Sequence, residues 1–145
     1  GAMGYSVPSA VSAKITYPQR SVVCFAGDGE FLMNGQELAT AVQYQAGILI
    51  LVFNNGMYGT IRMHQEREYP RHVSGTALAN PDFAALARAY GYAGVRITRT
   101  DEFEAEFIAA LAREQGTLIE VMLDPEVITT RGALSAITEA ASRGK

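Results

Sequence analysis

Cysteine is nearly absent. Cys24 is the only one in 145 residues, so no disulfide can form within the chain. A basic excess is missing as well: 12 Lys and Arg stand against 15 Asp and Glu, for a net charge of −3 and a pI near 5.4. That balance removes the electrostatic reason to expect a nucleic-acid partner. No apolar run approaches the roughly 20 residues that span a membrane. No charged leader followed by an apolar core marks a signal peptide. Repeats and low-complexity tracts are lacking. The chain also lacks an initial Met, opening Gly1-Ala2-Met3-Gly4 as a processed chain does, or one carrying a cloning remnant over Gly1–Met3. The expected compartment is a reducing cytoplasm. Cys24 falls in an expected buried strand, where it reads as a small core residue rather than a nucleophile.

What is present is ordinary for a soluble globular domain, with 48% hydrophobic and 19% charged residues. The length suits one domain with a real core. Its organising stretch runs from Val22 to Tyr58. Two short apolar runs, Ser21–Ala26 and Ile48–Phe53, read as buried strands and end in polar tips, Gly27-Asp28-Gly29 and Asn54-Asn55-Gly56. The 24 residues between the tips (30–53) hold one helix and the return strand. A parallel crossover through a helix brings both strand ends to the same sheet edge. Asp28 and Asn55 are therefore expected to meet there, where open α/β sheets bind ligands. A carboxylate oxygen, an amide oxygen and a nearby backbone carbonyl make a partial cage of hard ligands. Mg²⁺ favours such a cage, with phosphates and water completing its shell. Gly27 and Gly29 let the backbone turn sharply and approach a ligand. A helix starting just after Gly29 would aim free N–H groups at a diphosphate.

Gly27-Asp28-Gly29, 24 residues and Asn54-Asn55 together resemble the diphosphate-and-metal motif of thiamine diphosphate enzymes. A lone Gly-Asp-Gly would be plain turn chemistry; the spacing and the paired Asn carry the likeness. The chain is most similar to the C-terminal diphosphate-binding domain of the acetolactate synthase and 2-oxo-acid decarboxylase group, from Gly1 to about Pro125. The resemblance implies thiamine diphosphate and Mg²⁺ as cofactors. It implies metal ligands at Asp28, Asn55 and the Met57 carbonyl, with Asn54 bracing the loop. It places Gly27, Gly29, Glu30 and the Tyr58-Gly59-Thr60 turn around the diphosphate, the turn donating backbone N–H groups. It also implies that the Gly1 carbonyl accepts from the cofactor's 4′-amino group and that Met3 props the cofactor in its bent shape.

Elsewhere, Tyr5–Lys14 reads as a helix with Pro8 in its first turns. Glu30–Gln45 reads as the crossover helix, with Leu38 and Val42 on its apolar face and Glu37 as a solvated or partner-facing carboxylate. Ile61–Val73 is charged and aperiodic. His64 and Gln65 follow the site closely enough to line a substrate pocket, although a surface position is commoner for such a His. Arg62 suits a substrate carboxylate or a pair with Glu66, four residues on; His72 has no evident role. Asn80-Pro81-Asp82 reads as a helix start with Asn80 as cap. Phe83, Leu86, Ala87 and Tyr90 follow at core spacing. Gly94–Thr98 is a short strand. Asp101 and Glu104 open a helix through Gln115 with Phe103, Phe107 and Leu111 on one face. Thr117–Leu123 is the last strand. Beyond Asp124-Pro125 the pattern supports a helix or a loose tail, with fraying expected over Arg131–Lys145.

The expected fold is α/β, a mostly parallel open sheet with helices on both faces in a single domain. Two functions follow, beside a third reading as another phosphate-ligand protein with a similar edge site. One is the Mg²⁺–thiamine diphosphate domain of an enzyme cleaving or ligating carbon–carbon bonds of a 2-oxo acid. By resemblance, its activating Glu sits in a missing pyrimidine-binding domain, so no catalytic residue is expected in this chain and it is inactive alone. The other is a non-catalytic assembly module with a vestigial metal site. A homo-oligomer, dimer or tetramer, is expected in either case, with neither membrane nor nucleic acid as partner.

Overall fold

The structure is a computed structural model that describes residues 1–130 and 132–143. Its contacts divide into two compact units: Gly1–Asn54 with Asn80–Met122, and Asn55–Ala79 with Leu123–Lys145. The first contains a four-stranded sheet of β1 (Val23–Gly27), β2 (Leu49–Asn54), β3 (Ala93–Ile97) and β4 (Thr117–Met122). Its order is β1-β2-β4-β3 and every pairing is parallel, with Gly27 opposite Phe53, Val52 opposite Glu120 and Arg96 opposite Glu120. All four carboxyl ends therefore share one edge.

Side chains two apart on a strand face the same way, and β2 supplies both cores of this unit. Ile50 and Val52 join Cys24, Ala26 and Leu118 under α1 (Ser6–Thr16), α2 (Asp28–Asn34), α3 (Leu38–Gln43) and α5 (Phe83–Ala89). Leu49 and Leu51 join Ile119 and Ile97 under α6 (Phe103–Leu111), which contributes Ala110, Phe103 and Phe107. The α/β sheet with helices on both faces is thus as expected. Two fully buried rings, Phe31 of α2 and Phe83 of α5, meet edge to face at 5.4 Å and 84°. That contact sets the start of α2 beside the segment entering α5.

Several local expectations give way. The crossover is not one helix over Glu30–Gln45, because a 3-10 turn at Gly35–Glu37 divides α2 from α3. The Phe31 ring packs against Gly35 so closely that a Cβ there would lie 2.6 Å from it. The break resets the buried face to Leu38 and Ala41 and leaves Val42 exposed. Glu37 is half-buried and accepts from the Thr40 hydroxyl at 2.7 Å. Asp82, not Asn80, caps α5: its carboxylate accepts from the Ala85 N–H at 2.7 Å. The box before α6 is built by Arg99 and Glu102 rather than Asp101 and Glu104, with Glu102 Oε2 accepting from the Thr98 and Arg99 N–H groups. That helix stops at Leu111, itself exposed, and β4 stops at Met122.

In the second unit the charged stretch after Tyr58 is helical, forming α4 (Gly59–Glu68). Its periodicity is masked because the residue it buries is Glu66. The chain after Pro125 is not loose over 134–143, where α7 (Leu134–Arg143) packs against α4. The expectation of fraying at Arg131, Gly144 and Lys145 lies outside the described residues. Among the described residues no helix is long and apolar enough to cross a membrane.

Candidate functional site

On the face that carries Ile50, Val52 and Leu118, the core turns polar at the carboxyl edge. Two residues beyond the apolar positions, β2 presents Asn54 and β4 presents Glu120, both buried. Buried polar groups need partners, and these have them. Glu120 Oε2 accepts from Arg96 Nε at 2.8 Å, and Glu120 Oε1 accepts from Asn54 Nδ2 at 2.7 Å. Asn54 Oδ1 in turn accepts from Asn80 Nδ2 at 2.8 Å. The same Asn80 nitrogen donates to Asp28 Oδ2 at 2.8 Å, while Asp28 Oδ1 accepts from the Gly29 N–H at 2.8 Å. The result is a continuous polar chain, Arg96–Glu120–Asn54–Asn80–Asp28. Its anchor is a full charge pair: the hydrogen bond to Glu120 holds the Arg96 guanidinium above its ordinary value. Arg96 also lies 3.6 Å from Asp82, whose carboxylate is held below its usual range by the Ala85 N–H and, less strongly, by that guanidinium.

Asp28, the expected metal ligand, is 3% exposed and is the first residue of α2. The helix starts there rather than after Gly29, and the Gly29 N–H is taken up by the Asp28 carboxylate. Around Gly27 the edge is open: no atom stands within 4 Å of where a Cβ would be, so a ligand can approach the strand tip. The opening segment is fastened to α2 from both ends. Asn34 Nδ2 donates to the Gly4 carbonyl at 2.7 Å, and Glu30 Oε1 accepts from the Ser6 N–H at 3.2 Å. Gly4 makes this approach possible, with φ of +78° and Asn34 Nδ2 only 2.9 Å from its Cβ position. Gly1 and Met3 are exposed on that segment, within the same unit as Asp28 and Glu30.

Asn55 follows Asn54 directly, in the second unit. There its Oδ1 accepts from the Met57 N–H at 3.2 Å, and its amide nitrogen lies 2.8 Å from the Cβ position of Gly59, so a larger residue at 59 would push the Asn55 amide aside. Met57 pairs across with Ala77; the flanking bonds run from the Tyr58 N–H to the Thr76 carbonyl and from the Leu78 N–H to the Gly56 carbonyl. Neither uses the Met57 carbonyl. The Tyr58 N–H is thus engaged within the protein, while those of Gly59 and Thr60 open α4 outside its intrahelical ladder. Among the described residues no group of three or more His, Cys, Asp and Glu converges as a cage. In the first unit the edge offers a hard carboxylate oxygen at Asp28; in the second, Asn55 Oδ1 and the Met57 carbonyl are hard oxygens too, the donor type that Mg²⁺ takes beside phosphate.

The remaining candidates have structural partners. Arg62 pairs with Glu66 at 2.7 Å, and the Gln65 amide clasps the backbone of Ser74 at 2.7 Å. His64 and His72 are exposed. Cys24 is buried, and burial pushes its thiol up to about 11. Sequence reasoning missed Asn80, Glu120 and Arg96. Glu120 had a visible signal: it is the one charge in Thr117–Met122, TLIEVM. Asn80 had another, since Asn80-Pro81-Asp82 carries two capping residues for one helix.

Comparisons with known proteins agree with this geometry. The model of the thiamine pyrophosphate enzyme, C-terminal TPP binding domain, matches residues 1–121. The acetolactate synthase large subunit of Parasynechococcus marenigrum is 40% identical over 123 residues, 83% of this chain and 20% of that protein. The acetolactate synthase isozyme 2 large subunit of Escherichia coli is 39% identical over 125 residues, 86% of this chain and 23% of its own length. This chain thus spans about a fifth of the curated relatives it matches. Benzoylformate decarboxylase from Polynucleobacter necessarius superposes with a TM-score of 0.78 at 29% identity, covering 87% of this chain and 24% of that one. A parallel sheet with a buried aspartate at its carboxyl edge lies within the matched residues 1–121, and the chain belongs to the thiamine pyrophosphate enzyme C-terminal TPP binding domain family.

Proposed function

We propose that this chain holds the diphosphate end of thiamine diphosphate through Mg²⁺, as the cofactor domain of an acetolactate synthase-like enzyme acting on 2-oxo acids. The observation that carries the reading is the Asp28 carboxylate, buried at the open sheet edge and fixed by donors on both oxygens. A carboxylate at an open strand tip is a hard oxygen donor of the kind Mg²⁺ takes beside phosphate. Asp28, the Asn55 amide oxygen and the Met57 carbonyl are the proposed ligands, with phosphate and water filling the other positions. Asn55 keeps a lone pair beyond its bond to the Met57 N–H, because an amide oxygen accepts twice. Gly27, Gly29, Glu30, Gly59 and Thr60 surround the diphosphate, with Tyr58 shaping the turn. Gly1 and Met3 face the rings.

When bound, the thiazolium supplies the nucleophilic carbon that adds to the 2-oxo carbonyl; the protein holds and tunes it. The parent enzyme thereby makes or breaks a carbon–carbon bond, as a lyase or transferase. The glutamate that activates the ring comes from a pyrimidine-binding domain outside this chain, so this chain alone does not turn over. Exposed apolar side chains on α2 (Leu32, Met33), on α3 (Val42) and just after it (Tyr44) support burial against another domain or subunit in a cytoplasmic homo-oligomer.

Calorimetry tests the reading. Thiamine diphosphate should bind only with Mg²⁺ and in preference to ATP and NAD, and Asp28→Ala should abolish the metal-dependent component. An unaffected variant, or equal binding of all three ligands, would sink it, leaving an assembly module. Steady pyruvate turnover by this chain with both cofactors would refute its dependence on another domain.

A further inference from the structure

Asn80 has an unusual set of partners. Its Nδ2 carries two protons, and both are used within one fork, to Asp28 Oδ2 and to Asn54 Oδ1, each at 2.8 Å. Its Oδ1 is buried and has no hydrogen-bond partner. An unpaired buried carbonyl oxygen is unfavourable and calls for a reason. Rotating the amide by half a turn would not relieve it, because Oδ1 would then face a carboxylate oxygen and an amide oxygen. The two acceptors dictate which way the amide points. Asn54 Oδ1 faces Asn80 because Asn54 Nδ2 is drawn to Glu120, and Glu120 is held by Arg96. Direction thus passes from a charge pair in β3 and β4, through two amides, to the carboxylate at the tip of β1.

The segment bearing Asn80 is itself held. Asp82, two residues on, caps α5 and lies 3.6 Å from the same Arg96. Pro81 between them restricts the backbone. The buried Phe83 ring fixes the start of α5 against Phe31 of α2. Asn80 is therefore presented to Asp28 by elements that are already packed, and only its side chain spans the gap.

We infer that Asn80 is a positioning residue: its amide fork fixes the orientation of the Asp28 carboxylate at the strand tip, where the metal is proposed to bind. The inference rests on the Mg²⁺–thiamine diphosphate reading for its consequence, but not for its geometry. Groups that orient a metal ligand without touching the metal commonly change metal affinity 10–100-fold when removed.

The test uses the full-length protein with Asn80→Ala and Asn80→Leu, the second keeping bulk while removing both donors. Two measurements separate the inference from the reading beneath it. Crystal structures without metal or cofactor should show the Asp28 carboxylate rotated away in both variants; a carboxylate that stays in place overturns the inference whatever the metal does. Mn²⁺ titration by electron paramagnetic resonance, with thiamine diphosphate present, should show an unchanged number of bound ions and an affinity about 10-fold or more weaker. Unchanged affinity in both variants also overturns it, while leaving the cofactor reading intact. A wild-type protein that binds no Mn²⁺, with the carboxylate still displaced in the variants, removes the cofactor reading and leaves Asn80 as the residue that orients Asp28. Asp82→Ala controls for loosening of the segment: it should lower the melting temperature while Mn²⁺ affinity holds. If Asp82→Ala weakens Mn²⁺ as much as Asn80→Ala does, general disorder of the segment explains the effect and the fork does not.

Discussion

Two buried glutamates, Glu120 in β4 and Glu66 in α4, have the same partner type but different destinations. Glu120 is fully buried and takes Arg96 at 2.8 Å; Glu66 is 2% exposed and takes Arg62 at 2.7 Å. Each has a second oxygen to satisfy. Glu66 gives its second to the Arg71 N–H at 2.8 Å, so the bond closes within a few residues of its own helix end. Glu120 gives its second to Asn54, 66 residues away in sequence, and the chain continues to Asn80 and Asp28. The first arrangement fastens a helix. The second carries orientation to the carboxyl edge of the sheet, where Asp28 stands. Burial and an arginine therefore do not distinguish a structural acid from one tied to a site; the fate of the second oxygen does.

Glu120→Leu should break the comparison most visibly. It takes the Glu120 acceptor away from the buried Asn54 amide and leaves Arg96 without its main partner. The expected loss is about 3 kcal/mol, at the low end for breaking a buried pair because the Arg96 side chain is 42% exposed and can turn to water. Mn²⁺ affinity should fall with it. Chemical denaturation and a metal titration check the two effects separately. A destabilised variant with unaltered Mn²⁺ affinity would make Glu120 a purely structural acid, the counterpart of Glu66.

Glu66→Gln is expected to cost less, about 1–2 kcal/mol, because Gln still accepts one bond and Arg62 is partly solvated. Its metal affinity should be unchanged. The loss should depend on pH in a definite direction. Burial works to raise the Glu66 carboxyl, but the Arg71 N–H, the Thr138 hydroxyl and Arg62 outweigh it and hold the group below the ordinary glutamate range. A depressed folded value means the stabilisation is complete above the unfolded value, about 4.3, and disappears as pH falls through the folded one. The gap between wild type and Glu66→Gln should stay constant from about pH 8 to 6 and close at acid pH. A gap that widens on acidification would contradict the assignment.

The same distinction explains what could be read from the sequence. The parallel sheet was legible because β1, β2 and β4 are apolar runs bounded by turn residues, and Asp28 because it stands at the first of those tips. The chain of contacts behind Asp28 was not. It joins residues on three strands and one connecting segment, and only folding makes Asn54, Asn80, Arg96 and Glu120 neighbours. Local chemistry even pointed the wrong way at Asn80, since Asn before Pro is a good helix start and nothing nearby says that Asp82 has taken that task. Likewise α4 hid because a helix that buries a glutamate shows no apolar stripe.

Cys24 supplies the smallest and sharpest contrast, a third buried ionisable group that has no cation beside it. Burial raises its thiol to about 11, and the Glu30 charge pushes the same way. Where the Arg71 N–H, the Thr138 hydroxyl and Arg62 hold Glu66 charged, Cys24 stays neutral, with roughly one thiolate in a few thousand at pH 7.5. Since the thiolate is the reactive form, iodoacetamide should label the native protein far more slowly than a free thiol, and urea should restore the free-thiol rate in step with unfolding. Rapid native labelling would show that β1 opens at Cys24 without the rest of the sheet. The core of Cys24, Ala26 and Ile50 that carries Asp28 at its end would then be too loose to hold the carboxylate in one orientation, whatever Asn80 does.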